Sequence, residues 1–220
     1  MVTTVYIIRH CEAEGNLTGV FQGSTDFDIS PKGEKQLEKL SERCKDIRFD
    51  IAYSSPLIRA RKTAYAALKH SKAELIIDSG FSEISGGDME NKPWNKLNEL
   101  FPEEYYCFKK SFASFVAPNG ESVNDVYNRI VKSFSTAIDM NKGSCIAVFS
   151  HGCAIRILMC YIKGIPLEEI DSIGWTDNTS ITCIEVDSDG KMSVKYENDY
   201  SHIKNDEKTA ANRMWWGEQS

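Results

Sequence analysis

Two short runs constrain this chain more than anything else in it: VYIIRH at 5–10 and SCIAVFSHG at 144–152. Each is apolar at consecutive positions instead of at every second one, and each is too short for a core helix. Such a run is a strand buried on both faces, and that burial requires helices above and below the sheet. Strands are therefore expected at Val2–Ile8 and Ser144–Ser150, with two more at DIAYSS from Asp50 and at Glu74–Asp78. Helical patterns separate them. SPKGEKQLEKLSERC opens with Ser30 as N-cap, Pro31 at the first helical position and Glu34 in the first turn, and Leu37, Leu40 and Cys44 give it an apolar face. PLIRARKTAYAALKH repeats Leu57, Ala60, Ala64 and Leu68, and a long amphipathic helix from Glu121 carries Val123, Val126, Tyr127, Ile130, Phe134, Ala137 and Ile138. Another helix follows Gly152, with Ile155, Leu158 and Met159. SITCIEVDSDGKMSVKYE alternates around Asp189-Gly190 and reads as a hairpin. Strands alternating with helices predict an α/β fold, a three-layer α/β/α sandwich with a mainly parallel central sheet. The length of 220 residues suits a single domain over 1–220. Gly15–Ile29 reads as loop, and 79–119, rich in Gly, Lys and aromatic residues without a clean period, as an insertion or lid.

Composition narrows the partners. A formal net charge of −6 is a poor basis for binding nucleic acid, yet allows a positive pocket for a small anion inside a negative shell. No apolar run approaches the ~20 residues of a membrane span; Ile155–Ile165 is broken by Arg156, Lys163 and Gly164. No export signal precedes the first strand, and seven cysteines without CxxC pairs read as reduced thiols, so a cytoplasmic location is expected.

In an open α/β sheet, ligands bind outside the carboxyl ends of the strands. The first strand ends in Arg9 and His10, the 144–150 strand in His151, and the strand from Asp50 runs into Ser54, Ser55 and, one turn on, Arg59. The Glu74–Asp78 strand leads to Glu83. Taken singly, each residue has an ordinary structural explanation. Together they form a set: guanidinium forks for phosphate oxygens, a neutral imidazole as nucleophile, a second imidazole to stabilise developing charge, and a carboxylic acid for the leaving group. That set performs phosphoryl transfer through a phosphohistidine and calls for no metal or other cofactor.

Six blocks in order carry a family resemblance: RHCEAEGN, FQGSTDFDISPKGEKQ, YSSPLIRARKTA, FSEISGGDMENK, PNGES and VFSHGCAIRIL, with an echo at Asn178-Thr179-Ser180. They resemble the motifs of the histidine phosphatase superfamily, the phosphoglycerate-mutase-like group. The resemblance implies that His10 is the phosphorylated nucleophile and that Arg9, Arg59 and His151 hold the phosphoryl group. It further implies that Asn16 and the Gln22-Gly23 backbone contact phosphate or substrate, and that Glu83 is the proton donor and later the base for water. Against the pattern, Cys11 stands where the family has Gly, Ala13 where Thr is common, Met89 for Trp and Asn91 for Gly. Cys11 raises the expectation of a narrowed pocket or an altered backbone after His10.

Rival chemistries lack their spacing. Cys11 has Leu17, not Arg, at the Cys-x5-Arg position; Asp26 and Asp28 follow no apolar strand; P-loop, Gly-x-Ser-x-Gly and zinc spacings are absent. The expected activity is a metal-independent phosphomonoesterase acting on a small-molecule phosphate ester. The alternatives are a cofactor-dependent phosphoglycerate mutase and a catalytically silent phosphate-ester-binding module. The short segment with Lys109-Lys110, where mutases carry a longer insertion with Arg-Arg, is more like the α-ribazole phosphatase or broad-specificity phosphatase branch. Lys92, Lys96, Lys109 and Lys110 could extend a groove or merely face solvent. Trp94, Phe101, Tyr105, Tyr106 and Phe108 could meet the leaving group or pack the lid. Trp215 and Trp216 could cover the core or a partner, and a homodimer is compatible with the sequence.

Overall fold

The computed structural model describes residues 1–203. In chain order the elements are β1 (Thr3–Arg9), α1 (Glu14–Thr18), α2 (Pro31–Cys44), β2 (Ile51–Ser54), α3 (Ile58–Ala67), β3 (Glu74–Ile77), α4 (Trp94–Leu100), α5 (Pro102–Lys110), α6 (Val123–Met140), β4 (Cys145–Ser150), α7 (Gly152–Lys163), β5 (Ile181–Val186) and β6 (Met192–Asp199). One six-stranded sheet runs β3-β2-β4-β1-β5-β6. β3, β2, β4 and β1 are parallel, whereas β5 is antiparallel to β1 and to β6. The sheet is thus mostly parallel, as the buried apolar runs predict, and the alternating segment forms the antiparallel hairpin.

The two faces of β1 explain the layers. Val5 and Ile7 pack with Val126, Ile130 and Phe134 of α6 and Leu158 of α7. Ile8, on the opposite side of the pleat, packs with Leu40 and Cys44 of α2 and with Ala64 and Ala67 of α3. Ser30 caps α2 by accepting from Gly33 N at 3.0 Å, with Pro31 at the first position. One expected core position differs: Leu37 is half-buried and Gln36 is buried in its place, because Gln36 Oε1 accepts Glu12 N–H at 2.7 Å. Gly15–Ile29 is not all loop. α1 occupies its start, held by Asn16 Oδ1 accepting from Ala13 N and ended by Gly19 in the left-handed region; at five residues it is too short to show a period. Segment 79–119 contains α4, α5 and three 3-10 turns. No helix among the described residues is long and apolar enough to cross a membrane. Trp215 and Trp216 lie outside the described residues.

Register delivers the site. β1 and β4 pair Arg9 with Ser150, so the next residues, His10 and His151, leave the sheet side by side. β2 pairs Ser54 with Phe149, which brings Ser55 to the same edge.

Candidate active site

His10 is held from every side through its backbone. Its N–H donates to Ser150 O, and its carbonyl accepts from Asn178 Nδ2 at 2.8 Å and from Thr179 N at 3.3 Å. Thr179 reaches this position with a φ of 58°, a left-handed conformation that costs a β-branched residue about 1–3 kcal/mol. The strained turn directs its N–H at both the Arg9 and the His10 carbonyls.

The His10 ring has a defined proton. Nδ1 lies 2.6 Å from the Cys11 carbonyl. A carbonyl only accepts, so Nδ1 carries the hydrogen and Nε2 of the neutral ring keeps its lone pair. Burial, then the Arg59 and Arg9 charges, hold His10 well below its ordinary pKa of 6.5, so the ring is neutral at physiological pH.

Cations and orphaned donors surround it. Arg59, only 1 % exposed, is not the solvated helix residue its position alone would suggest. Its two terminal nitrogens donate to Thr25 O at 2.7 Å and Gly23 O at 2.8 Å, and burial lowers its pKa only to about 10, leaving it charged. Arg9 donates to Thr176 O and lies against Gly152, where an added Cβ would come within 3.4 Å of the guanidinium carbon. His151 is fully buried, its ring 5.0 Å from that of His10. Burial, then the nearby cations, also push its pKa well below 6.5. Its Nε2 lies 2.8 Å from Ser55 Oγ, which also accepts from Leu57 N at 3.3 Å. Arg9 Nε and Arg59 Nε are buried donors, and His151 Nδ1 a buried ring nitrogen, without a partner among the described residues. Each such group costs about 1–3 kcal/mol unless something satisfies it, and both arginines line a cavity that an anion can enter.

Glu83 faces these cations from a different segment. Its Oε1 accepts from Ile84 N and Ala154 N and its Oε2 from Cys153 N, so the carboxylate caps the start of α7. One cavity is lined by Arg9, His10, Asn16, Gln22, Gly23, Arg59 and Glu83. Of the residues expected to form the site, only His151 is outside that lining, with its ring beside that of His10. The same lining includes the apolar and aromatic side chains of Val20, Phe21, Ile84, Trp94, Phe108 and Trp175.

The departures from the family pattern have local explanations. Cys11 neither lines the cavity nor takes a positive φ, and its Sγ is the atom that a Cβ on Gly33 would approach to 3.4 Å. Cys11 thus does not narrow the cavity by lining it. Asn91 adopts a φ of 63°, the conformation for which Gly is otherwise preferred and which Asn tolerates. Met89 is fully buried. Nothing in the structure accounts for Ala13. Asp26 Oδ1 accepts from Ile58 N at the start of α3, and Asp28 pairs with Lys62, so both act structurally. Lys92, Lys96, Lys109 and Lys110 do not line the cavity; of the lid aromatics only Trp94 and Phe108 do.

The sequence reading gave several supporting residues no role. Thr63 Oγ1 accepts from Cys11 N and donates to Arg59 O, tying the turn after His10 to the arginine helix. Glu90 gathers Ser24 N, Ser24 Oγ, Thr25 Oγ1 and Gly86 N. Both lie inside quoted motif blocks, where their block position was the available signal. Trp175 and Asn178 come from a connection with no period to read.

The model of the histidine phosphatase superfamily (branch 1) matches residues 5–199. Phosphoserine phosphatase 1 of Hydrogenobacter thermophilus is 28% identical over 189 residues, 86% of this chain and 89% of that protein. The 2,3-bisphosphoglycerate-dependent phosphoglycerate mutase of Bartonella tribocorum is 31% identical over 179 residues, 78% of this chain and 87% of that protein. Among solved structures, YhfR of Bacillus stearothermophilus superposes with a TM-score of 0.87 at 29% identity, covering 92% of this chain and all of that one.

Proposed function

This chain belongs to branch 1 of the histidine phosphatase superfamily and is a phosphoric monoester hydrolase, and from that premise we propose that it works through a phosphohistidine on His10. The observation that carries the proposal is the Nδ1–H bond to the Cys11 carbonyl, which leaves a neutral Nε2 among cations. Nε2 attacks the phosphorus of a small-molecule phosphate ester. The P–N bond forms as the ester P–O bond breaks, and the departing alkoxide takes a proton from the Glu83 carboxyl. Water then attacks the phosphohistidine and gives its proton to the Glu83 carboxylate. The P–N electron pair returns to Nε2 and inorganic phosphate leaves. Arg9, Arg59 and His151 stabilise the charge on the transferring group, each with a buried nitrogen that has no partner among the described residues. Asn16, Gln22 and Gly23 contact the ester, and segment 79–119 covers its leaving-group side through Trp94 and Phe108.

Hydrolysis is favoured over mutase chemistry by the charge in the cavity. Among the described residues its lining includes two cationic side chains, Arg9 and Arg59, both used for one phosphoryl group. A small bisphosphorylated acid needs more. The test is His10→Ala assayed on p-nitrophenyl phosphate in EDTA, with acid-labile phosphate labelling of the protein. Both signals should vanish; normal turnover by the variant would falsify the mechanism.

A further inference from the structure

Glu83 sits on an irregular segment, yet its carboxyl must meet a leaving oxygen with hydrogen-bond accuracy. Something has to immobilise that backbone, and one side chain of α6 does most of it. Arg129 Nη1 donates to Gly80 O at 3.0 Å and to Ser82 O at 2.8 Å, and Nη2 donates to Glu83 O at 3.0 Å. Its other two N–H groups go to Glu121, Nε to Oε1 at 2.8 Å and Nη2 to Oε2 at 3.0 Å. A guanidinium has five N–H donors, and all five are used on the loop or on the carboxylate that fixes the fork. Glu121 Oε2 also accepts from Ser85 N at 2.9 Å, so the same ion pair grips the segment beyond Glu83. The one carbonyl Arg129 leaves out, Phe81 O, accepts from Ser150 Oγ of β4 at 2.7 Å. α6 also presses on the segment directly: a Cβ on Gly80 would fall 1.9 Å from Ser133 Oγ.

We propose that Arg129, braced by Glu121, is a positioning residue that sets the Glu83 carboxyl for proton transfer to the leaving group. The inference rests on the reading of Glu83 as proton donor. Arg129 itself touches neither substrate nor phosphoryl group. Loosening it leaves the nucleophile and the phosphate donors in place and displaces the acid, so the defect depends on how much the leaving group needs a proton. p-Nitrophenolate needs little; a glycerol alkoxide needs a full transfer.

The experiment compares kcat/KM for p-nitrophenyl phosphate and β-glycerophosphate in Glu83→Gln, Arg129→Met and Arg129→Lys, with thermal melts for folding. Glu83→Gln should raise the aryl-to-alkyl ratio by about tenfold or more, since general acids supply roughly 10²–10⁴-fold. Arg129→Met should raise the same ratio, and Arg129→Lys should raise it less, because an ammonium can restore some of the carbonyl contacts but not the fork. A merely structural arginine would slow both substrates alike. That result, alongside a raised ratio in Glu83→Gln, overturns the role of Arg129 and spares the acid. An unchanged ratio in Glu83→Gln overturns the acid assignment and the positioning role with it. If Arg129→Met does not fold, Arg129→Lys decides: a ratio equal to that of the parent protein sinks the proposal.

Discussion

A neutral imidazole beside two guanidinium groups is the central residue-scale fact. His10 stays neutral because burial and both arginines oppose a second positive charge, and the Cys11 carbonyl selects the tautomer. The carbonyl of Cys11 therefore matters, while its side chain does not line the cavity. Burial pushes the thiol up to about 12, so no useful thiolate exists near neutral pH. Cys11→Gly should retain turnover and lose about 1–2 kcal/mol of stability, from backbone entropy and the vacated space at Gly33. Paired assays of p-nitrophenyl phosphate turnover and denaturant midpoint check this; loss of all turnover in a folded variant would put the thiol in the reaction. Arg9, His10 and His151 were legible as strand-end residues. Thr63 and Thr179 fell inside quoted motifs, but their roles were not legible, because these lie in what they bond across the fold.

At the scale of elements, the loop at 22–25 and the turn at 86–91 form one clamp. Gly23 and Thr25 supply the carbonyls that orient Arg59, and Glu90 reaches across to fasten Ser24 and Thr25. Gly23 has a φ of 51°, and a Cβ there would lie 2.3 Å from Glu90 Oε1, so the two strands of chain meet with no space to spare. Glu90→Ala should free the loop, misdirect Arg59 and weaken inorganic phosphate as an inhibitor roughly tenfold, the equivalent of losing one hydrogen bond to a charged group. An unchanged inhibition constant would mean Arg59 holds its aim without the loop. The long helix α2 could be read from its cap and period, and α6 from its period. α1 and the 3-10 turns could not, since a single turn has no period and is held by contacts such as Asn16 to Ala13.

For the whole molecule, the buried histidines make stability a function of pH. His10 and His151 are held well below 6.5, and burial lowers His202 to about 4. Between those folded values and 6.5 the unfolded chain binds more protons than the native one, so stability is full above pH 6.5 and falls as pH drops below it. Urea midpoints measured from pH 7.5 to 5 should decrease toward acid, and inorganic phosphate, by binding the native site, should offset part of the fall. A midpoint that rises on acidification would contradict the buried, neutral histidines. Sequence by itself determined the layers and the chemistry on offer, because burial on both faces, helix caps and strand-end residues are local properties that pattern reveals. Tertiary structure alone decided the assembly. The β1–β4 register sets His10 beside His151, the Cys11 carbonyl chooses the His10 tautomer, and Arg129 of α6 grips the backbone of Glu83. These depend on groups distant in the chain meeting within hydrogen-bond range, and no local pattern encodes that distance.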